Sequence, residues 1–178
     1  MKALKLFVFS LIAFSFSGCD EELFDIKFGL NTKDVTFTIP ATSVAGEIIL
    51  DPTTQSINLD SLASANGADI SKIKSVKAKK ITAIIESPAT ADFGILQSGF
   101  ITIEAPGVPN VHIAEISSAP GAVKEFEIIP LDVNLLDYAR KPQLTVAGKL
   151  VTNGPVLEAV TVKLKIEFEV VANPVAGE

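Results

Sequence analysis

Eleven residues near the C-terminus constrain the fold more than any other feature of the chain. In Val160–Val170 (VTVKLKIEFEV), Val160, Val162, Leu164, Ile166, Phe168 and Val170 alternate with Thr161, Lys163, Lys165, Glu167 and Glu169. A helix would scatter these apolar groups around its circumference, whereas an extended strand collects them on one side. One face of such a strand belongs in a core and the other in water. Asp34–Ile39 repeats the pattern, with Val35, Phe37 and Ile39 opposite Thr36 and Thr38, and Pro40 closing it.

Between these two segments the sequence predicts strands near 45–50, 74–86, 97–105, 110–117, 123–129 and 143–152. Turn-forming residues separate them: Asp51-Pro52, Ser87-Pro88, Pro106-Gly107-Val108-Pro109-Asn110, Pro120-Gly121 and Asn153-Gly154-Pro155. Two short helical turns are expected, Asp60 capping Ser61–Ala65 and Asp132 capping Val133–Ala139. The apolar phase set by Val76 and Ala78 slips by one before Ile81, Ala83 and Ile85. That slip predicts either a β-bulge at Lys79-Lys80 or the junction of two short strands. A faint echo, Ile57–Leu62 against Ile129–Leu135, places Leu-Asp between a strand end and a short helix twice, as two similar crossovers between sheets would.

Many short alternating strands with no long helical period predict an all-β chain. The expected architecture is a single antiparallel β-sandwich, Ig-like in broad class, with a small lipocalin-like barrel as its rival.

The N-terminus is of a different kind. Lys2 and Lys5 precede the uncharged apolar run Leu6–Phe16, and small residues lead to the only cysteine, Cys19. Eleven apolar positions fall short of the roughly 17–25 residues that cross a bilayer. The layout is that of a cleaved secretory signal. The stretch SFSGCDEE resembles the lipobox of bacterial lipoproteins, with Phe16 where that family usually has Leu. The resemblance implies removal of residues 1–18, diacylation of the Cys19 sulfur with palmitate-like chains, and acylation of its nitrogen. Asp20, Glu21 and Glu22 resemble the acidic export signal of Bacteroidetes-type surface lipoproteins, while an aspartate directly after the cysteine resembles an inner-membrane retention signal. The resemblance thus implies a lipid-anchored protein of the outer membrane, surface exposure included, with the periplasmic face of the inner membrane as the alternative. Residues 19–33 then form the lipidated terminus and a tether running into a first strand, and 34–178 the sandwich domain.

The remaining inventory narrows the chemistry. Beyond the signal there is one Tyr (Tyr138), one His (His112), and no Trp or Met. A single Cys and a single His cannot supply a zinc site or a Cys-Cys redox pair, and no Gly-x-Ser-x-Gly or phosphate-binding loop occurs. No cofactor is expected. Alternation places His112 opposite Val111 and Ile113, on the face of Ala114 and Ile116. Asp51, Asp60, Asn66 and Asp69 are read as turn and cap residues, lacking the spacing of a calcium loop. The net charge of −6 argues against nucleic acid. Lys72–Lys80 concentrates lysines that either cover a strand's wet face or meet an acidic partner.

The expectation is therefore a non-enzymatic structural or binding protein, held to a membrane by its lipid, with an envelope protein as its partner. Two other classes stay open. One is a carrier of an apolar ligand, with Phe37, Phe93, Phe100, Phe126 and Phe168 lining a cavity. The other is a hydrolase using carboxylates alone, drawn from Glu86, Asp92, Glu104, Glu115 and Glu158 and requiring two of them about 5–10 Å apart in one cleft.

Overall fold

The computed structural model describes residues 25–31, 34–56, 59–67 and 69–173. Nine strands run through them: β1 (Ile26–Asn31), β2 (Val35–Ile39), β3 (Gly46–Ser56), β4 (Ile73–Ser87), β5 (Leu96–Ala105), β6 (Val108–Ile116), β7 (Glu125–Ile128), β8 (Gln143–Thr152) and β9 (Val160–Ala172). Two short helices, α1 (Leu59–Ala65) and α2 (Leu136–Ala139), join them. The alternation read in the sequence becomes burial directly. In β9 Val160, Val162, Leu164, Ile166, Phe168, Val170 and Ala172 are all buried, and every residue between them is partly or fully exposed. Each such aliphatic or aromatic side chain contributes about 1.5–3 kcal/mol on leaving water.

Two antiparallel sheets form, and neither closes on itself, so the sandwich is realised and the barrel is not. One sheet has the order β1-β9-β4-β7, with β2 also paired to β9; the other has the order β3-β8-β5-β6. β4 occupies one side of β9, from Thr161 to Ala172. On the other side β2 covers Val160–Leu164 and β1 covers Glu167–Ala172, so these two strands lie end to end. The connections differ from an immunoglobulin arrangement. After β2 every link switches sheets except β5–β6, a tight hairpin whose Gly107 takes φ +76°. That is the double Greek-key wiring of a jelly roll. α1 and α2 each sit in a crossover, β3→β4 and β7→β8, as the Leu-Asp echo anticipates.

The phase slip at Lys79-Lys80 is a bulge. The register between β4 and β9 shifts between Ala78 and Lys80, and β4 continues unbroken for 15 residues. Asp51-Pro52 is a correction. It was expected to turn the chain, but β3 runs through it with a register shift between Leu50 and Thr53. β3 is an edge strand, and a bulge on an edge is where proline costs no ladder bond. The helix starts also differ from expectation. α1 begins at Leu59, so Asp60 lies inside it. Asp132 forms an ion pair with Lys77 at 2.7 Å, and the start of α2 is held by Asn134, whose Oδ1 accepts the Leu136 N–H at 3.1 Å.

Asn134 also closes an exposed sheet edge. β7 pairs only with Ile81–Ile84, leaving the first half of β4 without a strand on that side. There Asn134 Oδ1 accepts the Val76 N–H (3.1 Å), its Nδ2 donates to Lys74 O (3.3 Å), and the Leu135 N–H donates to Val76 O (2.7 Å). One side chain and one amide thus replace a missing strand.

Side chains from both sheets meet in one core. Between them lies a cavity of about 30 Å³ with a wholly apolar lining that includes Phe37, Leu50, Ile101 and Leu164. Ligand sites are typically about 300–1,000 Å³, far larger than this cavity.

Candidate functional site

Strand polarity assigns each loop to an end. β4 begins and β1 begins opposite Ala172, whereas β4 ends opposite Thr161 and β2 ends opposite Val160. The first described residues therefore lie at one end of the sandwich. The loops 40–45, 88–95, 117–124 and 153–159 lie at the other.

Those four loops are hydrogen-bonded into one surface. The Thr42 N–H donates to Val156 O (2.9 Å) and the Val156 N–H to Thr42 Oγ1 (3.2 Å), joining the first loop to the last. Asn153 ties the last loop to 88–95, its N–H donating to Ile95 O (2.9 Å) and its Nδ2 to Gly94 O (3.0 Å). Thr90 Oγ1 donates to Glu158 Oε1 at 2.9 Å. The Phe93 N–H donates to Val123 O (2.8 Å), and Lys124 Nζ donates to Ala89 O, bringing in 117–124. Beneath them Phe93 meets Phe126 edge-on, ring centroids 4.7 Å apart, which fixes the loops to the core.

On this rigid base apolar side chains face water. Leu157 is 89% exposed and Val44 70%. A depression of about 250 Å³ beside them is lined by Thr90, Ala91, Asp92, Ile95, Pro155 and Leu157, among others. Loops held on a rigid scaffold are where binding residues concentrate. Of these residues the sequence singles out Asp92, as a candidate carboxylate, and Pro155, as part of a turn, but not the apolar ones. The available cue was Val156-Leu157 immediately after Asn153-Gly154-Pro155, two apolar residues in a turn where alternation is absent.

The residues singled out from sequence are dispersed. Cys19, Asp20, Glu21 and Glu22 lie outside the described residues. His112 is exposed and stacks on Phe100, centroids 4.3 Å apart at 20°. It does not share a face with Ala114 and Ile116. The register between β5 and β6 shifts between His112 and Ala114, turning Ala114 inward. Phe100 borders the interior cavity, while its ring stacks on the exposed His112. It pairs across with Lys149 and Glu115 on the outer face of its sheet, with Lys149 Nζ 5.9 Å from its ring. Phe37, Phe93 and Phe126 line the small interior cavity, and Phe168 is packed in the core.

The carboxylates serve structure. Glu86 binds Lys163 Nζ at 2.6 Å, Glu104 accepts from Asn110 Nδ2 at 2.8 Å, and Asp92 Oδ1 accepts the Gly94 N–H at 2.8 Å. Asp69 caps the 3-10 turn at Ile70–Lys72, accepting from the Ser71 hydroxyl (2.6 Å) and N–H (2.7 Å), which holds its carboxyl below the usual range. Lysines of the Lys72–Lys80 run are engaged on the protein itself: Lys74 with Asp25 (3.3 Å), Lys77 with Asp132 (2.7 Å), Lys79 with Glu169 (3.8 Å) and Lys80 with Glu127 (3.4 Å). Among the described residues no group of three or more His, Cys, Asp or Glu could hold a metal ion, and no helix is long and apolar enough to cross a membrane.

No protein-family model and no curated protein matches the chain. Among solved structures, a chain of Desmodium yellow mottle tymovirus is similar over 86% of this chain and 85% of its own, at 12% identity and a TM-score of 0.23.

Proposed function

We propose that this chain is a lipid-anchored envelope protein whose jelly-roll domain is a non-enzymatic binding component, presenting its loop cluster away from the membrane. The observation that carries the reading is the polarity of the sandwich. β1 starts at Ile26, seven residues after Cys19 in the sequence, at the end opposite Val44 and Leu157. Even fully extended, that connection spans no more than about 25 Å. The 15 residues of β4 span roughly 45–50 Å, so the loop cluster stands that much farther from the bilayer. Three acyl chains at about 0.8 kcal/mol per buried CH₂ make the attachment effectively permanent. On the resemblance of Asp20-Glu21-Glu22 the membrane is the outer one.

The carboxylates and the interior are consistent with a binding role. Asp92 and Glu158, which share the loop depression, are both spent on hydrogen bonds within it. Cys19→Ser tests the anchor. The variant is expected to lose incorporation of labelled palmitate and to leave the membrane fraction, and unchanged membrane association refutes the proposal. Protease cleavage engineered between Pro155 and Val160, applied to whole cells, separates surface from periplasmic display.

A further inference from the structure

The side of the sandwich where β6 and β7 run as edge strands holds a groove of about 470 Å³ with a mixed lining, in which Phe126, Ile128, Ile129 and Leu131 stand beside Glu115 and Glu127. The opposite side is shut by Thr53, whose hydroxyl donates from β3 to Thr36 O on β2 at 3.3 Å. On the open side the edges are treated unequally. β6 is partly covered, since the Leu131 N–H donates to Ile113 O (2.7 Å) and Ala114 bridges to Pro130. The upper part of β4 is covered by Asn134. β7 is the last strand of its sheet, and Glu125–Ile128 has β4 on one side only.

We propose that β7 receives an extended peptide segment of a partner protein as an added strand, and that this segment alternates basic and apolar residues. The pattern follows from the pleat. Glu125 and Glu127 point to the outer face of β7, while Phe126 and Ile128 face inward, over the groove. A strand laid beside β7 sets every second side chain against the two carboxylates and the alternate ones above the apolar residues of the groove, among them Ile129, 81% exposed. Among the described residues the ion pair made by these three carboxylates, Glu115, Glu125 and Glu127, is that of Glu127 with Lys80 at 3.4 Å. The same charges discriminate against a second copy of this chain. Antiparallel pairing of two β7 strands opposes glutamates to glutamates, which is destabilising, and charged residues on an edge are a recognised guard against self-association. This site is independent of how the chain is anchored.

The purified full-length protein is titrated with a fluorescent Lys-Val-Lys-Val-Lys-Val peptide. Saturable binding with slowed hydrogen exchange at the Glu125–Ile128 amides is expected, and absence of binding overturns the proposal. A Glu-Val-Glu-Val-Glu-Val peptide is expected not to bind, and neither is a Lys-Lys-Lys-Val-Val-Val peptide. Equal binding by either one overturns the strand-pairing argument. N-methylation of alternate amides on the peptide leaves the protein untouched and is expected to abolish binding on the pairing edge. E125Q together with E127Q is expected to weaken the basic peptide about fivefold to tenfold. If the protein dimerises through β7 instead, sedimentation shows it and the assignment of a basic partner fails.

Discussion

Replacing Asn134 by alanine isolates the edge closure of β4. The side chain serves three backbone groups: the Val76 N–H, Lys74 O and the Leu136 N–H. Val76 is only 2% exposed, so its amide has little access to water once Oδ1 is gone. An unsatisfied buried donor costs about 1–3 kcal/mol, and the two more exposed groups recover most of their loss from solvent. Asn134→Ala is therefore expected to cost about 1–3 kcal/mol, lowering the urea midpoint by roughly 1 M at an m-value of about 2 kcal/mol/M. Asn134→Asp keeps both bonds accepted by Oδ1 and loses only the donation to Lys74 O, for less than about 1 kcal/mol at neutral pH. Denaturant unfolding of both variants measures the totals, and amide exchange at Val76 localises the effect. If both variants fall equally, or if Val76 exchanges no faster in the alanine variant, Asn134 is not substituting for a strand.

Backbone crowding, a buried hydroxyl and an ion pair each give a further expected outcome. A Cβ on Gly99 would sit 2.7 Å from the Lys149 carbonyl oxygen, whereas one on Gly148 meets first the mobile Leu50 Cδ1 at 3.1 Å. Gly99→Ala is thus expected to cost about 1–3 kcal/mol and Gly148→Ala clearly less, by chemical unfolding. Tyr138→Phe removes the hydroxyl's bond to Pro109 O and is expected to cost about 0.5–1.5 kcal/mol in the same assay. Its hydrogen bond with Glu86 raises the Lys163 amine above its ordinary value. That contribution is complete below the unfolded amine's range, near pH 10.4, and is lost as pH rises through the folded one. The stability advantage of the native chain over Glu86→Gln should accordingly shrink in alkaline titration and stay constant between pH 7 and pH 9.

Local order was legible wherever the chain spoke in a period of two. β2, β8, β9 and the bulge at Lys79-Lys80 all follow from which residues are apolar, because water sorts the two faces of a strand. The sequence misled where an edge relaxes the rule. Asp51-Pro52 resembles a turn, yet an edge strand tolerates a proline that a central strand would reject. Asp132 and Asn134 are equivalent by helix-cap preference, and what selects Asn134 is the unpaired Val76 amide, 58 residues away in the chain. Ala114 and Ile116 were grouped with His112 because the bulge between His112 and Ala114 reverses the alternation of β6. The loop cluster was invisible for the same reason as the jelly-roll wiring: both depend on which distant segments end at the same place.

β9 bears on how the chain comes to be folded. It is the last strand among the described residues, yet β1, β2 and β4 all pair with it. Until Val160–Ala172 arrives, the five-stranded sheet consists only of β4 with β7, and the strands nearest the N-terminus have nothing to pair with. Pairing across such sequence distances is slow, since the loop must close before any contact rewards it. Because its first strands close on the last described one, this sheet is completed only after most of the chain is in place.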